Sequence, residues 1–145
     1  NSSLYKEMIK LTAEEVFIMT MAMIDEMLET GELDATTTGE YRAKAPAILT
    51  LLQNEIIGIE NRYRAFNEQV KPVKIESLEQ FVQVDDIKAN TLLTNGLAAH
   101  LMIHEDKSLA NFFQQRYEEM RGTYLKPTPS KITKKEDVYG AMLRY

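Results

Sequence analysis

Between Tyr41 and Tyr63, apolar side chains recur at every third or fourth position. The set comprises Tyr41, Ala45, Ile48, Leu49, Leu52, Ile56, Ile59 and Tyr63. This spacing matches the turn of an α-helix and places the apolar side chains along one face. A long helix with one apolar face has to bury it against other elements, so the pattern predicts a helix over 38–66 in a helical core. Pro46 predicts either a kink or a true helix start near Ala45.

Two Thr-x-x-Glu patterns, at Thr12 and at Thr37, indicate where helices begin. In such a capping box the hydroxyl and the Glu side chain each satisfy a free backbone amide. The first pattern predicts a helix over 12–30 that stops at Gly31, a typical C-terminal breaker. From Val16 to Ile24 this helix is apolar almost all round, which predicts contacts on several sides, within the domain or with a neighbouring subunit.

The next two predicted helices cover 85–103 and 108–124. The tight polar turn between them predicts an antiparallel hairpin, with Asp85-Asp86 capping the first arm and Ser108 the second. The inner side of the second arm is predicted to carry Leu109, Phe112, Phe113, Arg116, Tyr117 and Met120. The fold class is therefore predicted to be all-α, a bundle of about four main helices.

Asn95-Gly96 is an unusual pair for the middle of a helix. In isolation it is a strong turn signal, yet helix-forming residues lie on both sides. A glycine inside a helix costs about 1 kcal/mol relative to alanine, so it needs a packing reason. We favour a close approach of helices at Gly96 and Ala99, against Phe113 and Tyr117 of the second arm.

Two segments are predicted to lie outside the helices. The stretch over 67–84 contains Pro72 and mixed spacing, and it is interpreted as a connector with one short extended piece at 73–75. The prolines on either side of Thr128 predict an extended path for 126–145. We therefore expect a helical domain over 1–125, then a basic arm with an apolar end that docks on its own domain or on a partner.

Composition excludes several functional classes. The chain has 145 residues and no cysteine, which excludes disulfides, thiolate metal sites and cysteine nucleophiles. No apolar run approaches the roughly 20 residues needed to cross a bilayer, so a soluble protein without membrane contact is expected.

The net charge of −5 is distributed unevenly along the chain. Residues 1–40 carry −7, residues 41–120 carry −2 and residues 121–145 carry +4. Without a clustered basic face, this is not a nucleic-acid footprint. This charge distribution fits head-to-tail contacts between opposite charges. The alternative is that solvated surface charges are segregated along the chain by chance.

His100 and His104, the only two histidines, are spaced to share one helix face. A metal site would need further ligands, and these would have to be carboxylates. Leu101 occupies the position where a metalloprotease helix has its Glu. We therefore favour a surface pair near a helix C-terminus, with a metal-dependent helical hydrolase as the alternative. Nothing else supports catalysis, and no cofactor is expected.

The first helix is also rich in methionine, an adaptable side chain common at binding surfaces. Met19, Met21, Met23 and Met27 lie either in an enclosed core or at a subunit interface. In the arm, the candidates for partner contact are Lys131, Lys134, Lys135 and Tyr139.

The stretch "TNGLAAHLMIHEDKSLANFFQQRYEEM" resembles the C-terminal helical hairpin of tailed-phage head–tail connector proteins, also called head completion or adaptor proteins, including prophage copies. Their pattern is Leu-Pro-Tyr-Gly-Leu-Ala-Ala, a short acidic loop, and a helix similar to Phe-x-Gln-Arg-Tyr-Glu-Glu. Residues 96–99 match its first part; Phe113 and residues 115–119 match the second. "AEEVFIMTMAMIDE" and "AILTLLQNEIIGI" resemble the first two helices of the group, so the similarity covers 12–125. At 93–95 the chain has Leu-Thr-Asn in place of the common Pro and Tyr.

The resemblance implies a non-enzymatic virion component without a cofactor, assembled in the cytoplasm of a bacterial host. It implies a homo-oligomeric ring of about a dozen copies that contacts the portal protein and the tail-side completion proteins. DNA would only pass through the channel, without sequence-specific binding. A dimeric helical adaptor is a further alternative.

Overall fold

Four helices make up most of the computed structural model, which describes residues 10–28 and 33–125. Helix α1 spans Ala13–Met27 and α2 spans Ala35–Asn61. Helix α3 is continuous through an α-helical turn (Asp86–Lys88), a π-helical stretch (Ala89–Leu93) and a longer α-helix (Thr94–Met102), and α4 spans Lys107–Tyr124. Outside them, the described residues form one short 3₁₀ turn (Phe66–Glu68) and an isolated bridge between Thr12 and Phe81, with no strand. The predicted all-α fold is confirmed.

The capping box at the start of α1 is present as predicted. The Thr12 hydroxyl accepts a hydrogen bond from the Glu15 amide at 3.1 Å, and Glu15 Oε1 accepts one from the Thr12 amide at 3.2 Å. At the start of α3, the Asp85 carboxylate accepts from the Lys88 amide at 3.0 Å, so its predicted capping role is also confirmed.

Two predicted caps are wrong, both because an aspartate lies earlier in the chain. Helix α2 is capped by Asp34, whose carboxylate accepts from the Thr37 amide at 2.7 Å. Helix α4 is capped by Asp106, which accepts from the Leu109 amide at 3.0 Å, and Ser108 lies inside the helix. A carboxylate also favours the positive end of the helix dipole, an advantage that a hydroxyl lacks.

The other helix ends also differ from prediction. Helix α1 ends at Met27, short of the predicted residue 30, and Gly31 lies outside the described residues. Helix α2 ends at Asn61 instead of 66, and it runs through Pro46, so a start near Ala45 is wrong.

Helix α3 forms the centre of the bundle, because it contacts all three other helices. Every residue from Leu92 to Ala99 is buried, including the polar pair Thr94 and Asn95. Both polar side chains satisfy carbonyls at the π-helical stretch, since Thr94 donates to Asn90 O and Asn95 donates to Thr91 O at 2.7 Å. The irregular turn therefore carries its own hydrogen-bond partners into the core.

The apolar face of α2 is largely as predicted, with Tyr41, Ala45, Leu49, Leu52 and Ile56 buried. Gln53 and Ile57 are buried as well, although the pattern did not include them. The other predicted members are only partly buried, and one of them lies beyond the end of the helix: Ile48, Ile59 and Tyr63. Among the described residues, helix α1 buries Val16, Phe17 and Ile24, whereas Ile18 stays 54% exposed.

The connector between α2 and α3 forms no strand at 73–75; side chains of α2 fix its path instead. Thr50 Oγ1 accepts from the Ile75 amide at 2.9 Å, and Gln53 Nε2 donates to Val73 O at 3.1 Å. Asn61 bonds both the amide and the carbonyl of Val70, at 3.0 and 2.9 Å. These contacts bring the connector back along α2 toward the start of α1, where Phe81 pairs with Thr12. The predicted arm over 126–145 lies outside the described residues.

Candidate functional site

Gly96 lies inside α3, where three helices meet, and not in a turn. A β-carbon placed there would lie 2.9 Å from both methyl carbons of Leu52 on α2 and 3.2 Å from Cδ1 of Tyr117 on α4. The other predicted hairpin residues, Ala99 and Phe113, are also buried in this core. The segment that carries the resemblance therefore forms the central packing of the bundle.

The contact between α4 and α2 is polar at its outer edge. The Tyr117 hydroxyl donates to Glu55 Oε1 at 2.7 Å, and Arg121 Nη1 donates to the same oxygen at 2.6 Å. Burial raises the pKa of Tyr117, and the hydrogen bond to Glu55 raises it further. Burial also acts to raise the pKa of Glu55, but hydrogen bonds from Tyr117 and Arg121 outweigh it and hold the pKa below its ordinary 4.5.

At neutral pH, the cluster of Glu55, Tyr117 and Arg121 contains no group poised to transfer a proton. Glu55 is ionised and engaged by two donors, whereas Tyr117 keeps its proton. A general acid or base works best with a pKa near the operating pH, and neither group meets this requirement. The arrangement therefore stabilises the α2–α4 contact and offers no proton-transfer site.

Tyr41 is a second buried tyrosine, whose hydroxyl has no hydrogen-bond partner among the described residues. Burial raises its pKa to about 12, with smaller contributions from Glu105, Glu40 and Asp34. The phenol therefore stays neutral at physiological pH.

The two histidines do not form the helical pair that their spacing suggested. His100 is exposed on α3, whereas His104 lies in the turn after the helix has ended at Met102. Among the described residues, no group of three or more His, Asp or Glu side chains could hold a metal ion. The nearby Asp106 is already used as the cap of α4.

The methionines of α1 are divided between core and surface. Met21 is buried, Met19 and Met23 are half-buried, and Met27 is exposed. The arm candidates Lys131, Lys134, Lys135 and Tyr139 lie outside the described residues.

Two surface features were not predicted from the sequence. The first is a loop over 62–70, the Phe66 loop, whose Phe66 side chain is 92% exposed. The second is the Leu78 cleft, an open cavity of about 630 Å³ lined by Glu14, Arg42, Ala43, Pro46, Ser77, Leu78 and Glu79. The one available signal for the loop was a lone Phe in the polar stretch that follows the apolar stripe. The cleft joins three distant parts of the chain and left no local signal.

In the part of the chain that the structure describes, no helix combines the length and apolar character that crossing a membrane requires. No protein-family model matches the chain, and comparisons with curated proteins and with solved structures find no match. A function therefore has to be proposed from the residues themselves.

Proposed function

We propose that this chain is a structural assembly protein, a subunit of a head–tail connector-type ring in a tailed phage or prophage, and not an enzyme. One observation carries the proposal. Of the residues that resemble the connector hairpin, 96–99, Phe113 and Tyr117 are buried in the core, with Gly96 against Leu52 and Tyr117. Packing residues support a fold shared with the connector proteins, and the function would then reside in the surfaces that this fold presents.

The polar chemistry of the described residues supports a structural role. The buried polar side chains Gln53, Thr94 and Asn95 bind backbone or neighbouring side chains. The pKa of Glu55 is lowered and the pKa of Tyr117 is raised, so both move away from neutral pH and each group keeps its ordinary charge there. Perturbed groups poised for proton transfer would favour an enzyme.

Exposed apolar side chains favour contact with other chains. Phe66 is almost fully exposed, and Leu51 and Ile87 are exposed on α2 and α3. Single apolar residues are common on protein surfaces, so the argument depends on Phe66, an aromatic side chain held on a closed loop.

The metal-dependent hydrolase is disfavoured because His100 and His104 lie on different elements, and the described residues give them no third ligand. The dimeric adaptor differs from a ring in its stoichiometry. Light scattering tests it, since a stable dimer at every concentration would contradict the ring.

Binding to a portal protein tests the proposed function directly. We expect portal and major-capsid genes upstream of the gene for this chain, and we expect the purified chain to bind that portal as a ring of about a dozen copies. Gradient sedimentation followed by electron microscopy would measure the complex, with an unrelated phage portal as the control. Absence of portal and capsid genes upstream, or no binding to the portal encoded there, would refute the proposal.

A further inference from the structure

The Phe66 loop is a closed structure that presents one aromatic side chain. Asn61 closes it through both polar groups of Val70, and Arg64 Nη1 donates to Asn61 Oδ1 at 2.8 Å. Arg64 is held further by Glu60. A side chain presented on such a fixed loop loses little conformational freedom when it binds, and exposed aromatic residues are typical anchors of interfaces.

The Leu78 cleft lies at the other end of α2. Its apolar surface comes from Ala43, Pro46 and Leu78. Its walls are joined by backbone hydrogen bonds, because the Glu14 amide donates to Leu78 O and the Ala13 amide donates to Gln80 O, both at 2.8 Å. The cleft is therefore built into the fold before any ligand arrives.

Arg42 is also fixed at this cleft. Its Nη1 donates to Glu14 Oε1 at 2.7 Å, and its guanidinium lies 4.7 Å from the centre of the Phe17 ring. An aromatic side chain that entered the cleft would meet apolar surface beside a guanidinium, both favourable neighbours for a ring.

The two surfaces carry opposite charge. The Phe66 loop contains two bases and one acid: Arg62, Arg64 and Glu68. The residues that line the cleft contain two acids and one base: Glu14, Glu79 and Arg42. Such complementarity steers association and fixes the orientation of the partner.

Within one molecule, the Phe66 loop and the Leu78 cleft are too far apart to contact each other. Ala43 and Asn61 are eighteen residues apart on α2, which corresponds to about 27 Å along the helix. We propose that the Phe66 loop of one copy inserts into the Leu78 cleft of a second copy, which gives a head-to-tail contact. Because it joins two different surfaces, this contact leaves a free loop and a free cleft at the ends of any chain of copies until a ring closes. The inference rests on the proposed function only in requiring that copies assemble.

Removing the aromatic anchor tests the loop. We expect Phe66→Asp to weaken self-association by at least about tenfold, the loss that separates an anchor from a neutral contact. Sedimentation over a concentration series would measure this, and circular dichroism would check the fold. Ile103→Asp is the matched control, because Ile103 is 51% exposed in the α3–α4 turn and belongs to neither surface. Wild-type association of Phe66→Asp would overturn the inference.

A mixing experiment tests the pairing of the two surfaces. Phe66→Asp keeps an intact cleft, whereas Ala43→Trp fills the cleft and keeps an intact loop. Each variant alone is expected to be monomeric, and their mixture is expected to form a dimer with one copy of each. Native mass spectrometry would distinguish the two variants by mass. A mixture that stays monomeric would contradict the loop–cleft contact.

Cysteine crosslinking covers the case in which the wild-type chain associates only weakly. The chain has no cysteine, so Asn67→Cys, at an exposed position beside the intact Phe66, can be joined to Ala43→Cys by a short thiol crosslinker. We expect a heterodimer from this mixture and much less from Asn67→Cys with Ile103→Cys. Equal yields would overturn the inference. Portal binding by a chain that fails these tests would leave the proposed function standing without this contact.

Discussion

A β-carbon at Gly96 would lie so close to Leu52 and Tyr117 that the Leu52 side chain would have to shift to make room for it. Leu52 and Tyr117 are themselves buried, so neither can move aside into solvent. The asparagine before it links α3 to α4, since Asn95 Oδ1 accepts from Arg116 Nε at 3.2 Å. Asn95 and Gly96 therefore both stabilise the hairpin: Gly96 allows close packing, and Asn95 forms a hydrogen bond across it.

Gly96→Ala separates helix propensity from packing. Overpacking costs about 1–3 kcal/mol and alanine returns about 1 kcal/mol of propensity, so we expect the free energy of unfolding to fall by up to about 2 kcal/mol. Urea denaturation measures it. Gly58→Ala is the matched control: a β-carbon at Gly58 on α2 meets nothing within 4 Å, so it should gain about 0.5–1 kcal/mol. Equal gains at both sites would contradict the close approach.

Glu55→Gln should make stability depend on pH differently from the wild type. The pKa of Glu55 in the folded protein lies below its ordinary 4.5, so ionisation of Glu55 favours the folded state. That contribution is fully present above about pH 4.5 and is lost as the pH falls through the folded pKa. We expect the variant to be less stable at neutral pH and the difference to shrink as the pH falls below 4.5. Urea denaturation at several pH values measures this, and a constant difference would show that ionisation contributes nothing.

At the scale of elements, α2 organises the bundle with polar side chains as well as apolar ones. Gln53 is fully buried, and its amide oxygen accepts from the Gln83 amide at 2.7 Å while its nitrogen donates to Val73 O. The connector has no ladder of backbone bonds to a neighbouring strand. Its position along α2 depends on these individual side chains.

Gln53→Leu therefore keeps roughly the size of the side chain and removes its hydrogen bonds to the connector. We expect a loss of about 2 kcal/mol in the free energy of unfolding, because the partners of the amide are left unsatisfied. Hydrogen exchange should also increase at the amides over 70–83. The control is Asn54→Leu, since Asn54 is the exposed neighbour on α2. If the two variants behave alike, Gln53 does not hold the connector.

The number and order of the helices could be predicted from the sequence, because apolar periodicity and local caps determine them. The caps at Asp34 and Asp106 were missed, because each competes with a hydroxyl residue a few positions later that fits a capping pattern equally well. The π-helical stretch was missed as well, since it depends on what Thr94 and Asn95 contact inside the bundle.

Less of the site could be predicted. The interpretation of Gly96 needed only its position within a helical pattern. The histidine pair depended on α3 continuing past Met102, and the helix ends there. The Leu78 cleft is formed by α1, α2 and the connector together, so no window of sequence contains it.

At the scale of the whole molecule, the described residues share one hydrophobic core. Its buried hydrophobic members extend from Ala13 to Leu125. Residues 126–145 contain five bases and two acids, so their removal changes the net charge from −5 to −8. Residues 126–145 therefore contribute +3 to the net charge of the chain.

A chain truncated after Leu125 is expected to fold and to unfold cooperatively, with a melting temperature within a few degrees of the full chain. Thermal denaturation followed by circular dichroism measures this, and the full chain with Lys131, Lys134 and Lys135 changed to Gln is the control for charge alone. A large drop seen only in the truncated chain would mean that the segment belongs to the core.

The connector contacts of α2 also bear on how this protein can vary in evolution. Thr50, Gln53 and Asn61 bind backbone amides and carbonyls of the connector, groups that nearly every residue type supplies. The exposed side chains over 71–74 take no part in holding the connector in place, so they are free to change while the three α2 side chains are constrained. The fold thus separates a fixed helix from a variable surface, and related proteins could acquire new partners along this surface without rebuilding the bundle.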